Sequence, residues 1–325
     1  MDQDWIWSRY WQYDRVASCM DGAGVGNYAE EVAAGWRRFF EELPPQSRVI
    51  DLCTGNGAIA LIAAQVARRK ENGMAIVGVD RAAIDPGSYV NKFREDLDRI
   101  DFRAGVEAEE LPFPDESASA IVSQYGIEYS DMERSIAEAA RVLAPSGRIR
   151  FVLHAAEGVV AAGAVATVRD ADFLLREIDL PGAAAECLSA VLAVERGSPS
   201  QPGNRELAEE SVARFQAALA AAEQYMASAT EPAMIHTAGS VLADTYSKRG
   251  YFDLPQLLAK VEEVRTEIMA HKGRSSALVE AAVGRKDLGR MSERLRSAGV
   301  PEVSCSPLTK DDRLIGYVLE GSRPA

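Results

Sequence analysis

Hydrophobic and polar positions follow two different rhythms in this chain, and the change of rhythm marks its organisation. Between 45 and 80 the rhythm is mixed. The run Val49-Ile-Asp-Leu52 is short and apolar enough for a buried strand, and Ala58 opens an amphipathic stretch that predicts a helix. Met74-Ala-Ile-Val-Gly-Val-Asp80 is a second short apolar run ending on a carboxylate, so the segment reads as a strand–helix–strand unit. Ahead of it, 28–43 has helical spacing with Trp36, Phe39 and Phe40 inward, and Pro44-Pro45 stops it. From 155 to 286 the period is helical throughout and alanine-rich, with breaks at Pro181-Gly182, 197–203, Pro232 and 250–255. Two long helices are predicted there. One covers 205–227, with Leu207, Val212, Phe215, Leu219 and Ala222 on its apolar side; the other covers 254–272, with Leu257, Leu258, Val261, Val264 and Ile268.

The link between the first strand and its helix carries the chemistry. It reads Asp51-Leu-Cys-Thr-Gly-Asn-Gly57, and glycines at 55 and 57 suit positive φ or a ligand coming closer than a Cβ would allow. A first turn of this kind lies at the carboxyl ends of the strands, where open α/β sheets bind ligands. Asp80, at the end of the second strand, is placed to accept two hydrogen bonds from a ribose diol. Together they point to a cofactor bearing a nucleoside. The glycine spacing departs from G-x-G-x-x-G, and Asp51 would set a carboxylate beside a pyrophosphate, so a dinucleotide is disfavoured. A carboxylate suits a cationic or amine-bearing ligand instead.

On these residues the chain resembles the class I S-adenosylmethionine-dependent methyltransferases, with a core like methyltransferase type 11, whose first motif runs roughly Asp/Glu-x-Gly-x-Gly-x-Gly. Cys53 stands where that motif has its first glycine. Gly105-Val-Glu-Ala-Glu-Glu-Leu-Pro-Phe-Pro-Asp115 looks like the adenine-side segment, with Glu107 and Ala108 at the base by position. The segment 117–126 looks like the fourth strand and its exit loop, and 139–147 like the helix and turn before a fifth strand over 148–154. The stretch 295–300 and the strands near 303–307 and 314–320 look like the last helix and antiparallel hairpin. The resemblance implies an α/β fold with a doubly wound seven-stranded, Rossmann-like sheet, N-terminal helices and an all-helical insertion. Its domains would be an aromatic lid at 1–44, a core at 45–154 and 287–325, and the insertion at 155–286, serving as acceptor roof, homodimerisation arm or both. It also implies S-adenosyl-L-methionine as cofactor, held by Asp51, Cys53, Thr54, Gly55, Asn56, Gly57, Asp80, Arg81, Glu107, Ala108, Gln124 and Tyr125.

Composition narrows the partners. A net charge of −13 over 325 residues argues against nucleic acid and against an anionic membrane surface. No run reaches the roughly 18 apolar residues that would span a bilayer. The start, Met1-Asp-Gln-Asp-Trp5, lacks the basic-then-apolar order of a signal peptide, and a cytoplasmic location is expected. The four cysteines at 19, 53, 187 and 305 have no paired or metal-ligand spacing and read as reduced thiols; no metal is expected.

Five aromatic side chains, Trp5, Trp7, Tyr10, Trp11 and Tyr13, crowd into nine positions. They read either as a helix packed on the core or as a pocket wall for a planar apolar acceptor. The glycines at 22, 24 and 26 follow no strand and read as a hinge beside that lid. The acceptor contacts expected are Trp7, Tyr10, Trp11, Tyr28, Glu128 and Tyr129. Of the three histidines, His154 at the end of the fifth strand and His236 in the insertion are the candidate bases, while His271 is expected at a helix end, stabilising it as a cation. The loop Ser123-Gln-Tyr-Gly-Ile-Glu-Tyr129 is not the Asp/Asn-Pro-Pro-Tyr of enzymes that methylate nucleic-acid amines. The reading is methyl transfer to an oxygen or nitrogen of a small, aromatic acceptor. The alternatives are a cofactor-binding scaffold whose insertion holds a protein, and an NAD-dependent oxidoreductase.

Overall fold

The computed structural model describes residues 3–18, 26–197 and 202–325. Gly22 and Gly24 of the expected hinge, Cys19, and positions 198–201 of the glycine–proline loop lie outside the described residues. Two compact units emerge: residues 1–162 with 277–325, and residues 163–276. The second unit's limits fall inside the 155–286 insertion on both sides.

The first unit is built on a seven-stranded sheet in the order β3-β2-β1-β4-β5-β7-β6. Its strands are β1 (Arg48–Leu52), β2 (Ala75–Asp80), β3 (Ile100–Ala104), β4 (Ala118–Gln124), β5 (Leu143–Leu153), β6 (Glu302–Lys310) and β7 (Arg313–Ser322). The first five pair in parallel, and β7 runs antiparallel between β5 and β6. Helices cover both faces. Val49 of β1 packs with α2 (Glu30–Glu41) and α3 (Ala58–Lys70) through Trp36, Phe40 and Leu61, whereas Ile50 joins Ile136 of α6 (Met132–Val142) and Leu295 of α12 (Arg285–Ser297). The period-two alternation of β1 is what puts its neighbouring side chains on opposite faces. This is the doubly wound, Rossmann-like sheet of the methyltransferase fold. β1 lies between β2 and β4, so the chain reverses its direction of travel across the sheet there and leaves a crevice at the carboxyl ends.

Strand β5 begins at Leu143, five residues before the predicted Arg148. Its register passes from the Ala118–Leu143 pair to the Ala120–Arg148 pair, so the Pro-Ser-Gly turn is a bulge inside the strand. Tertiary bonds make this tolerable: Ser146 donates to the Pro324 carbonyl, and Arg323 N–H donates to that of Gly147, both at 3.0 Å.

The second unit contains α8 (Leu180–Arg196), α9 (Pro202–Met226) and α10 (Pro232–Ser247), with most of α7 (Val159–Asp172) and α11 (Leu254–Ala281). Leu188, Phe215, Leu242, Leu257 and Ile268 share its core. The Pro181-Gly182 break starts α8, with the Asp179 carboxylate accepting from Gly182 N–H. Two expectations change. Leu207 is 58% exposed rather than facing the core. His271 lies mid-helix, since α11 continues past Gly273 to Ala281 without a stop. Among the described residues, no helix is long and apolar enough to cross a membrane.

Candidate functional site

A cleft of about 910 Å³, counted to its open mouth, lies at the carboxyl ends of β1, β2 and β4. Its floor is the turn after β1. The Asp51 carboxylate is buried and takes the Thr54 hydroxyl at 2.6 Å and the Ala60 N–H at 3.2 Å, both on Oδ2. Burial pushes its pKa up from 3.8 to about 7; those two hydrogen bonds restrain the rise, and the Asp80 charge adds to it. The Asp80 carboxylate accepts from Gly55 N–H and Ala82 N–H, each at 2.8 Å, so it ties the turn to β2 as well as facing the cleft.

Both glycines take the positive φ expected of them, 54° at Gly55 and 84° at Gly57, and they also leave space. A Cβ on Gly55 would lie 2.3 Å from the Trp11 ring, and one on Gly57 would lie 2.6 Å from Phe102. Aromatic side chains of the protein, rather than a ligand, use the space those glycines leave. Cys53, at the family's glycine position, takes the left-handed conformation with φ of 54°, a strained choice for a side-chain-bearing residue. Its Cβ fits because Gly126 has none: a Cβ there would come within 2.5 Å. Burial, with surrounding carboxylates, pushes the Cys53 thiol well above its usual pKa.

The N-terminal segment roofs this turn. The Asn56 amide donates to the carbonyls of Trp11 at 3.0 Å and Arg15 at 2.8 Å. Ser8 Oγ accepts from Ala83 N–H, and the Asp14 carboxylate accepts from Asn91 N–H and its amide. Trp7 and Trp11 stack with ring centroids 6.4 Å apart, and both line the cleft with Tyr28, Tyr125 and Tyr129. Asn56 is therefore buried under the roof and does not line the cleft. Tyr10 stands behind the wall, edge-on to Trp7 and Trp11.

On the adenine side, Val106, Ala108 and Glu109 line the cleft while Glu107 is exposed and turned away from it. After β3 the chain enters a turn in which Glu110 N–H bonds to the Glu107 carbonyl, and this turn sends Glu107 outward while Val106, Ala108 and Glu109 line the cleft. Arg81 lines the mouth. Thr54, Gln124 and Tyr125 line the interior, and the Gln124 amide oxygen accepts the Trp36 indole N–H.

His154 does not reach the cleft. It is 1% exposed, stacked under Tyr125 with ring centroids 4.1 Å apart, and its Nδ1 lies 2.9 Å from Glu128 Oε1, which also accepts the His154 backbone N–H at 2.9 Å. Glu128 likewise is buried behind the tyrosine and does not contact acceptor space. Tyr125, with φ of 55°, swings its ring between this pair and the cleft. His236 is exposed on α10 of the second unit and does not line this cleft.

The donor set fits a cationic, nucleoside-bearing methyl donor. Asp51 and Asp80 stand at two adjacent strand ends, Ala108 and Val106 form an apolar slot, and Arg81 is the one cation among the described lining residues. The same carboxylates oppose a pyrophosphate. Sequence reasoning missed Glu109 and the Trp36 partnership with Gln124; the first is brought to the cleft by the turn after β3, and the second joins residues 88 apart.

Residues 49–147 match the family model for a methyltransferase domain. The demethylmenaquinone methyltransferase of Thermus thermophilus is 31% identical over 119 residues, covering 35% of this chain and 51% of that protein. The 2-phytyl-1,4-naphtoquinone methyltransferase of Synechococcus elongatus is 27% identical over 146 residues, covering 42% and 59% respectively. A solved structure of geranyl diphosphate methyltransferase in complex with SAM aligns with 22% identity over 37% of this chain and 48% of that one, at a TM-score of 0.31. The chain spans about half the length of the curated relatives it matches.

Proposed function

The chain belongs to the class I S-adenosylmethionine-dependent methyltransferases, and on that premise we propose that it methylates a small, planar, oxygen-bearing aromatic acceptor of the hydroquinone or phenol class. The observation that carries this reading is one cleft with carboxylates at the ends of β1 and β2 and an aromatic wall of Trp7, Trp11, Tyr28 and Tyr129 facing them. The names of the relatives, two of them quinone-type methyltransferases, favour the same acceptor class.

S-adenosylmethionine, when bound, would supply a methyl group activated by a sulfonium whose sulfur can leave as a neutral thioether. The chain's residues bind, orient and exclude water. Asp80 offers its carboxylate to the ribose hydroxyls, and Asp51 its negative charge to the cationic end. Val106 and Ala108 receive the base. The stacked indoles keep the acceptor's ring parallel to a fixed surface and bar water from the reacting atoms, which is the main help an in-line displacement needs. His154 and Glu128 act on the cleft only through Tyr125, so the acceptor's proton leaves by ionisation of its own hydroxyl rather than to His154.

Calorimetric titration with S-adenosylmethionine, S-adenosylhomocysteine and NAD, each separately, is the first test. Binding of the two adenosyl ligands and not of NAD is expected. Transfer of a labelled methyl group to reduced naphthoquinones and to phenols then follows, with product analysis telling carbon from oxygen as the site. Binding of NAD alone would overturn the cofactor, and adenosyl binding with no transfer to any aromatic acceptor would overturn the acceptor class in favour of a binding scaffold.

A further inference from the structure

Gln124 is nine-tenths buried at 7% exposure, lines the cleft, and has one amide atom, Nε2, with no hydrogen-bond partner among the described residues. Its orientation is dictated from behind. An indole N–H can donate and has nothing to accept with, so the Trp36 ring must meet the amide oxygen, and the NH₂ group is turned away from it. Trp36 in turn cannot swing. It is fully buried, stacked on Phe40 at 5.8 Å and edge-on to Phe39, and the Arg150 guanidinium lies over its ring at 5.0 Å. Arg150 is itself paired with Glu320, and Gly35 leaves it the space, since a Cβ there would come within 2.9 Å.

A buried amide N–H without an acceptor costs stability, and proteins seldom keep one without a use. Here every surrounding contact holds the group in place. The carboxylates of Asp51, Asp80 and Glu109 in the lining repel an electron-rich oxygen, and the one cation among the described lining residues, Arg81, is on an exposed side chain. A fixed, neutral donor is what could receive such an oxygen at the interior end.

We propose that Gln124 Nε2 is the hydrogen-bond donor for a ligand oxygen bearing full or partial negative charge, with Trp36 as the positioning residue that aims it. This deepens the methyl-transfer reading and rests on it. Two sources supply that chemistry, the carboxylate of the adenosyl ligand and the phenolate or carbonyl oxygen of the acceptor, and they separate experimentally.

Three variants test the proposal: Gln124→Glu, which keeps an oxygen for Trp36 and turns the donor into an acceptor; Gln124→Met, which removes both; and Trp36→Phe, which removes the indole N–H and frees the amide to rotate. Each is characterised by melting temperature, by S-adenosylhomocysteine affinity, and by kcat and KM for whichever aromatic acceptor the wild-type protein turns over. If the oxygen is the cofactor's, both Gln124 variants weaken S-adenosylhomocysteine binding by about tenfold or more and leave acceptor KM alone. If it is the acceptor's, the adenosyl affinity holds and kcat/KM for the acceptor falls by about tenfold or more. Trp36→Phe should lower the same parameter by a smaller factor. Folded Gln124→Glu and Gln124→Met proteins within about twofold of wild type in both parameters would overturn the proposal and return the amide to the core. Failure of the wild-type protein to bind S-adenosylhomocysteine would instead sink the methyl-transfer reading, and this inference with it.

Discussion

The two units treat their buried polar groups in opposite ways. In the helical unit the buried side chains of Asp170, Thr167, Ser211 and Thr245 are closed off. Asp170, fully buried, accepts from the Tyr225 hydroxyl at 2.9 Å, Thr230 N–H at 2.8 Å and Glu231 N–H at 3.1 Å, which joins α7 to the start of α10. Thr167, Ser211 and Thr245 each donate to a carbonyl one turn back. In the sheet unit the buried polar groups near the cleft are only half used. Gln124 Nε2, Glu128 Oε2 and Asn56 Oδ1 have no partner among the described residues, and Asp51 carries both its bonds on one oxygen. Polar groups that hold a fold together are satisfied within it. Of these, Gln124 and Asp51 line the cleft, and half-satisfied groups there are ready for something else.

That contrast breaks most readily at Asp170. Asp170→Ala strands a hydroxyl and two backbone N–H groups and should cost about 4 kcal/mol, read as a large fall in denaturation midpoint. Adenosyl-ligand affinity measured well below that midpoint should not change. An equal loss of affinity would mean that the helical unit's closed hub serves the cleft after all.

Asp51 gives an effect of the opposite character. Its folded pKa, about 7, is above the ordinary 3.8, so the native state holds the proton more tightly than the unfolded chain does. Its contribution to stability is therefore greatest below about pH 4 and is lost as pH rises towards 7, on the order of 3 kcal/mol across that window. Affinity for a cationic ligand should run the other way and rise as pH passes through 7, because only the ionised carboxylate attracts it. Asp51→Asn should flatten both profiles. A variant that keeps the wild-type pH dependence of binding would take Asp51 out of the ligand's reach.

The smallest effect concerns the exchange between Cys53 and Gly126. Gly126→Ala drives a methyl into the Cys53 side chain and should cost about 1–3 kcal/mol. Adding Cys53→Gly removes the colliding Cβ and relieves a left-handed non-glycine residue, so the double variant should recover most of the loss in a thermal melt. Additive losses would show that the two positions do not share the space.

The order of strands and helices was legible because it is local. A short apolar run, a terminal carboxylate and a glycine turn within a few residues specify β1, its loop and α3, and α3 starts at Ala58 as predicted. The carboxylates at 51 and 80 were legible for the same reason, since a strand's end determines where its last side chain goes. Function at single residues was less so. Glu107 and Glu109 are equally acidic and two apart, and only the turn closed by Glu110 N–H on the Glu107 carbonyl sends one outward and the other to the cleft. His154 stands at the end of β5 as expected, yet the Tyr125 ring lies over it.

By itself, then, the sequence determined a doubly wound sheet with a glycine-bearing turn at the carboxyl end of β1, because short-range periodicity and turn chemistry are written in neighbouring residues. Tertiary structure alone decided what fills the space left by each glycine: Trp11 over Gly55, Phe102 over Gly57, Cys53 against Gly126. It also decided which way the Gln124 amide points, through an indole 88 residues away. Such choices depend on which surfaces meet when the elements pack, and a side chain's partner across the fold leaves no trace in its sequence neighbours.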